Sequence, residues 1–281
     1  MAPVDYRTSR PLRRLLFGLG SLLTLLMVLW GSAQALDALS IEEERGAQSY
    51  LGVTAIDLRH AHGNVDLVRA EGRRTIVAVD SRHGFLSAHE RSDTLRGGEL
   101  RLRGSCDFLT LGTCEENYRI EVPRGVAVTV RTSAGETIAR GLRGGDLDLR
   151  SSAGRVRAID VRGDDVELRS HAGGITASGV RARRLEVDSR AGGIDVTRSA
   201  APRVIASSAA GQTEIELLRP PLSVDADSSA GGVTVRVPDV GYAVEARTSA
   251  GEEDVQVRQR PGSRRKIRAE SSAGDVSVLP L

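Results

Sequence analysis

Aromatic side chains are scarce in this chain, at 3% of its 281 residues. Beyond residue 36 only five remain: Tyr50, Phe85, Phe108, Tyr118 and Tyr242. Enzymes with deep pockets rely on aromatic side chains in the core and in the pocket lining. We therefore expect an aliphatic core, and an enzyme with a deep aromatic pocket is a poor match.

A strong excess of positive charge is also missing, because 39 lysine and arginine residues face 37 aspartate and glutamate residues. Proteins that bind nucleic acid neutralise its phosphates with a pronounced basic excess. Nucleic acid is therefore not expected as a partner.

Catalytic signatures are missing as well. The sequence contains no Gly-x-Ser-x-Gly elbow, no Gly-rich phosphate or dinucleotide loop and no His-Glu-x-x-His helix. One serine position recurs eight times without a partnered histidine, whereas a catalytic group is usually unique in its chain. We expect no catalytic residue and no cofactor, and interpret the serines as a hydroxyl ladder that supports the corners of a repeat.

The N-terminus combines a basic tail over residues 1–14 with an uncharged segment over residues 15–36. A helix of that length measures about 33 Å, enough to cross the hydrocarbon core of a bilayer. Basic residues before the segment and acidic ones after it predict a cytoplasmic N-terminus. We thus expect a single-pass plasma-membrane protein whose residues beyond a linker at 37–50 are extracytoplasmic.

A cleaved signal peptide is the alternative. Arg13 and Arg14 would form its basic region, and Ala33-Gln34-Ala35 fits the small-x-small rule for cleavage. The protein would then be secreted after cleavage near Ala35. Both interpretations export the rest of the chain.

The two cysteines, Cys106 and Cys114, stand eight residues apart between two strand-like runs. Two cysteines in an exported segment predict one disulfide. Closing so short a loop should stabilise the fold by about 2.6 kcal/mol. A metal-binding pair is the competing hypothesis, but the loop contains no histidine or further cysteine.

A Ser/Thr-x-Ala-Gly tetrapeptide recurs eight times and decides the fold. Its final glycines are Gly135, Gly154, Gly173, Gly192, Gly211, Gly231, Gly251 and Gly274. The steps between them are 19, 19, 19, 19, 20, 20 and 23 residues. Such a period is typical of a solenoid.

Aligned on the tetrapeptide, apolar residues stand six and four positions before each alanine, as Leu147 and Leu149 do before Ala153. This period-two alternation predicts a strand with one buried face, and a second strand follows each glycine. Glycine accepts the backbone angles of the bend between them. We predict an all-β, right-handed-type parallel solenoid of two sheets over residues 126–281, with coils of about 19–20 residues stacked in chain order about 4.8 Å apart.

Residues 51–125 carry the pattern in degenerate form. Ile56, Leu58 and His60 fall on the same columns, with His62 in the alanine slot. A second such coil is predicted from Val77 to Gly84 with His83 in that slot, followed by a cap that contains the Cys106–Cys114 loop. Stacking of these coils would bring His60, His62 and His83 together as a three-nitrogen metal site, the alternative being turn residues at a loose end of the solenoid.

A family resemblance rests on the Ser/Thr-x-Ala-Gly units, the apolar N-terminus and the run Tyr118-Arg119-Ile120-Glu121-Val122-Pro123. In these features the chain resembles the bacterial putative-adhesin family of unknown function, whose members carry β-strand repeats. The resemblance covers nearly everything after residue 36, although many members have Gly-Ser-Gly-Asp where this chain has Ser-Ala-Gly. It implies a β-helix-like fold and an envelope location. No catalytic residue carries over.

These features predict a non-catalytic, membrane-tethered module that binds or scaffolds an envelope protein or polysaccharide. One alternative is an accessory regulator of envelope stress that acts through membrane partners. The other is a carbohydrate-active enzyme on a β-helix, which would need unique acids and aromatic platforms.

Overall fold

The computed structural model describes residues 10–39, 42–83, 89–106 and 114–281. The chain begins with helix α1 (Arg10–Leu39), which is followed by strands. Within the described residues, none of the helical structure is both long and apolar enough for a membrane crossing.

The strands of the described residues form two sheets. Sheet A contains, in spatial order, β1 (Glu42–Tyr50), β4 (Thr75–His83), β7 (Cys114–Val122), β3 (Val65–Arg69), β9 (Thr137–Arg140), β11 (Val156–Ile159), β13 (Ile175–Ser178), β15 (Ile194–Ser199), β17 (Thr213–Leu217), β19 (Val233–Val237), β23 (Val276–Pro280) and β21 (Glu253–Val255). Sheet B contains β20 (Ala243–Thr248), β22 (Lys266–Ser271), β18 (Ser223–Ala230), β16 (Arg203–Ala210), β14 (Arg184–Ala191), β12 (Asp165–Ala172), β10 (Leu147–Ala153), β8 (Ala127–Ala134), β2 (Ala55–His62), β6 (Glu99–Cys106) and β5 (His89–Arg96).

From β8 onward, consecutive strands alternate between the sheets, so that each coil adds one strand to each sheet. Parallel pairing sets Leu147 beside Val166 and Leu149 beside Leu168. These side chains are at most 3% exposed, whereas the residues between them are only partly buried. The aliphatic columns therefore stack into one core between the sheets. The predicted all-β, parallel, two-sheet solenoid is confirmed.

The corner glycines allow successive coils to approach closely. A Cβ on Gly154 would lie 1.9 Å from the carbonyl oxygen of Gly135, although the φ of Gly154 is not positive. Gly173 has φ +150° and faces the Gly154 oxygen in the same way, at 2.3 Å. At Gly154 the requirement for glycine is thus space rather than backbone angle.

The recurring hydroxyl supports this corner. Ser170 Oγ donates a 2.9 Å hydrogen bond to the carbonyl of Gly154, one coil earlier. Ser271 makes the equivalent bond to Gly231, also at 2.9 Å. These serines are buried, and the bond satisfies a carbonyl at the bend.

The coils do not stack in chain order at either end. β2 pairs directly with β8, while β6 lies on the outer side of β2. At the other end β22 lies between β18 and β20, and β23 lies between β19 and β21. Stacking in chain order is therefore wrong for the terminal coils. All coils share the same apolar columns, so any two can pair, and the longest step, from Gly251 to Gly274, lies at the exchanged pair.

The prediction of a second degenerate coil from Val77 to Gly84 is also wrong. Val77 and Val79 are buried, but their strand β4 lies in sheet A, antiparallel to β7 and β1. A period-two pattern is the same in parallel and antiparallel strands. Residues 42–50, predicted as linker, form β1, a mostly polar strand at the edge of sheet A, while β5 pairs antiparallel with β6 at the edge of sheet B. Polar edges protect a sheet from further pairing.

Candidate functional site

The predicted histidine cluster is not assembled. His62 lies beside Ala134 in sheet B and is exposed, whereas His83 lies opposite Cys114 in sheet A. The expected adjacency of His62 and His83 is wrong because β4 does not stack on β2. Among the described residues, no group of three histidine, cysteine or acidic side chains could hold a metal ion.

His60 instead forms a buried pair with Glu116. The two side chains are closed to solvent, with His60 Nδ1 3.4 Å from Glu116 Oε2. His60 occupies the position that Thr132 holds in the next coil, so an imidazole replaces a hydroxyl of the ladder. The pair joins β2 of sheet B to β7 of sheet A through the core.

Tyr118 completes this buried cluster. Its ring meets the His60 ring edge-on with centroids 5.1 Å apart, and its hydroxyl donates to Glu116 Oε2 at 3.3 Å. Burial, followed by the negative charge of Glu116, raises the pKa of Tyr118 above its ordinary value. Gly104 provides the space, because a Cβ there would lie 2.1 Å from Glu116 Oε2. The cluster lies inside the solenoid, where a polymer or protein ligand does not reach it.

The two cysteines bracket residues 107–113, which lie outside the described residues. Cys106 ends β6 in sheet B and Cys114 begins β7 in sheet A. The disulfide between them stays a prediction.

The outer face of sheet B carries paired charges that continue from coil to coil. Arg150 bonds Asp148 on its own strand and Glu167 on the next, each at 2.8 Å. Arg169 bonds Glu186 at 2.8 Å in the same manner. The guanidinium groups of Arg150 and Arg169 are therefore already paired with carboxylates, which reduces the charge that they can offer a ligand.

A different arrangement occurs at the turns that follow the second strand of each coil. Parallel bridges join Arg143 to Arg162, Arg162 to Arg181 and Arg181 to Ala200. These arginines open onto a cleft of about 210 Å³ lined by Arg143, Asp160, Arg162, Gly179, Arg181, Arg198 and Leu218, here called the arginine cleft. Burial, and next the charge of Arg162, lower the pKa of Arg143. The 19-residue spacing of Arg143, Arg162 and Arg181 is visible in the sequence, but only the fold shows that they line one cleft.

A parallel two-sheet solenoid with glycine corners and a charged outer surface is the class that these features define. Residues 87–279 match the family model described as Toastrack DUF4097, and the chain belongs to this family. No curated protein matches the chain.

Solved structures align with most of the chain, and one of them does so with a TM-score above 0.5. A putative adhesin from Bacteroides fragilis aligns with a TM-score of 0.51 at 15% identity, covering 85% of this chain and 97% of its own. A putative adhesin from Parabacteroides merdae aligns with a TM-score of 0.44 at 10% identity, covering 85% and 96%. At such identities the likeness concerns the fold alone.

Proposed function

We propose that this protein is a non-catalytic, membrane-tethered module that binds or scaffolds a component of the cell envelope. The observation that carries the proposal is the repetition of arginines at the coil spacing, with Arg162 and Arg181 exposed and Arg143 half-buried. Repetition along a solenoid creates an extended surface for many weak contacts. The Bacteroides fragilis structure of similar fold is described as a putative adhesin, and this description agrees with a binding role.

The tether is part of the proposal. Over residues 18–32 the side chains of α1 are exposed, and its large apolar residues, such as Leu25 and Trp30, are each more than half exposed. Apolar side chains without a covering protein surface are stabilised in lipid. Residues 1–14 carry four arginines and would stay on the cytoplasmic side, which leaves the solenoid extracytoplasmic.

Protease treatment of intact cells tests the location. We expect added protease to degrade the solenoid of a full-length protein that remains in the membrane fraction after alkaline washing. A matched variant with Leu22, Leu25 and Leu26 replaced by arginine should leave that fraction, because charges inside a span are costly. Retention of the variant in the membrane fraction would contradict the tether.

Binding and turnover are tested together. Full-length protein in detergent is incubated with isolated envelope polysaccharides and with solubilised envelope proteins, and captured material is identified after crosslinking. We expect reproducible capture and polymers of unchanged length. Shortening of a polymer, abolished by one substitution on the solenoid, would favour the carbohydrate-active alternative instead.

A further inference from the structure

The arginine cleft holds more positive charge than its one lining carboxylate balances. Within the described part of the chain, Arg143, Arg162, Arg181 and Arg198 have no ion-pair partner, unlike Arg150 on sheet B. Arg143 donates to the backbone carbonyls of Leu142, at 3.1 Å, and Asp160. Arg198 donates to Ser178 Oγ at 3.2 Å.

Asp160 is the acidic side chain in the lining, so four guanidinium groups face one carboxylate. Burial lowers the pKa of Arg143 most, and the positive charges of Arg162 and Arg181 lower it further. Charges of one sign held together without partners are typical of a site that receives the opposite charge.

The turn that carries Arg198 is strained. Gly141 and Gly179 occupy this turn position with φ +68° and +67°, as left-handed backbone requires. Asp160 and Arg198 hold the same position with φ 52° and 47°, although both carry side chains. Such conformations are costly and cluster at functional sites.

The left-handed turn brings Arg198 into the cleft. In the coil of Arg198, Ala200 occupies the position that Arg143, Arg162 and Arg181 hold in the three preceding coils. Arg198, two residues earlier, lines the same cleft from the left-handed turn. The coil of Arg198 thus contributes a guanidinium group to the cleft although alanine occupies the bridging position.

We propose that the arginine cleft binds the carboxylates of an acidic polysaccharide that has one acid group per sugar. This inference rests on the proposed function and names its ligand class. Guanidinium groups pair with carboxylates through two parallel hydrogen bonds. Neighbouring strands are about 4.8 Å apart, close to the length of one sugar ring. A chain running along the solenoid axis would therefore advance by about one sugar per coil and present several carboxylates to the row of arginines.

The test measures binding of polygalacturonate oligomers to the full-length protein in detergent at low salt. The key variant is Arg162→Gln with Arg181→Gln. Its matched control is Arg190→Gln with Arg203→Gln, two exposed arginines that also lack ion pairs. We expect the key variant to bind about tenfold more weakly, because two charge-assisted contacts are lost. The control variant should bind as the wild type does.

Two further arms sharpen the result. Arg162→Lys with Arg181→Lys should bind more tightly than the glutamine variant but more weakly than the wild type, since lysine keeps the charge without the two parallel hydrogen bonds of a guanidinium group. Dextran, a neutral polymer, should not bind. Equal weakening by the key and control variants, or binding of polyphosphate but not of polygalacturonate, would overturn the proposal. Far-ultraviolet circular dichroism and thermal unfolding confirm that each variant is folded before its binding is compared.

The experiments distinguish a failure of the ligand assignment from a failure of the proposed binding role. If the wild type captures an envelope component but ignores polygalacturonate, the ligand assignment is wrong and the binding role stands. If it binds polygalacturonate through the cleft, the ligand class holds whichever protein partners are captured.

Discussion

The imidazole of His60 and the carboxylate of Glu116 lie together inside the solenoid, with Nδ1 3.4 Å from Oε2 and both side chains closed to solvent. They belong to opposite sheets, and the hydroxyl of Tyr118 donates to the same carboxylate oxygen. A core that is otherwise aliphatic is thus joined by polar contacts at its N-terminal end. The contact matters for stability, because burying a polar or charged group is unfavourable unless other polar groups compensate for the lost water.

Replacing His60 with alanine should lower the free energy of unfolding by about 3 kcal/mol, since Glu116 would stay buried without the imidazole beside it. His171→Ala is the matched control, because His171 is exposed. It should change stability by less than about 0.5 kcal/mol. Urea denaturation measures both, and equal effects would contradict the role of the pair.

Alkaline pH should destabilise the fold through Tyr118. The pKa of Tyr118 is raised in the folded state above its ordinary value of 10.0. The unfolded chain therefore loses this proton first, and stability falls as the pH rises above that ordinary value. Tyr118→Phe should show a shallower decline in denaturant midpoints measured across alkaline pH. An unchanged slope would mean that another group controls the decline.

The corner at Gly154 should not accept a side chain. Gly154→Ala would set a methyl group against the Gly135 carbonyl and should cost about 1–3 kcal/mol of stability. At Gly262 a Cβ meets nothing within 4 Å, so Gly262→Ala should be close to neutral. Thermal unfolding of the two variants gives the comparison, and similar midpoints would be inconsistent with this packing.

The cysteines should be bonded to each other. Mass spectrometry of peptides from unreduced protein should show Cys106 linked to Cys114. Replacing both with serine should lower stability by about 2.6 kcal/mol, the chain-entropy value for so short a loop. Two free thiols in protein isolated from the envelope would refute the pairing.

The regular coils could be predicted because apolar and polar residues alternate along each strand, and this alternation marks its buried face. Leu149 and Leu168 occupy the same column one period apart, and they pair in the structure. Periodicity reports a spacing but does not identify a neighbour. The coil that contains Ile56 therefore looked like one followed by Val77, whereas its actual neighbours contain Leu100 and Val128.

The candidate sites were harder to predict. Glu116 and His60 lie far apart in the sequence, and nothing local marks them as partners. The recurrence of Arg162 and Arg181 was visible, but their shared cleft and missing carboxylates depend on how the turns stack. The corner alanines, such as Ala172, are exposed, and the alignment by itself gives no direction for side chains at a bend.

The exchanged final coil determines how the solenoid bears load. Strand β23 is hydrogen-bonded to β19 on one side and to β21 on the other. A force along this strand must therefore break two ladders at once, whereas an edge strand would peel away from a single neighbour. A stack in simple chain order would unravel coil by coil from its free end. Here the last coil lies between two others, so its strands are held by a ladder on each side.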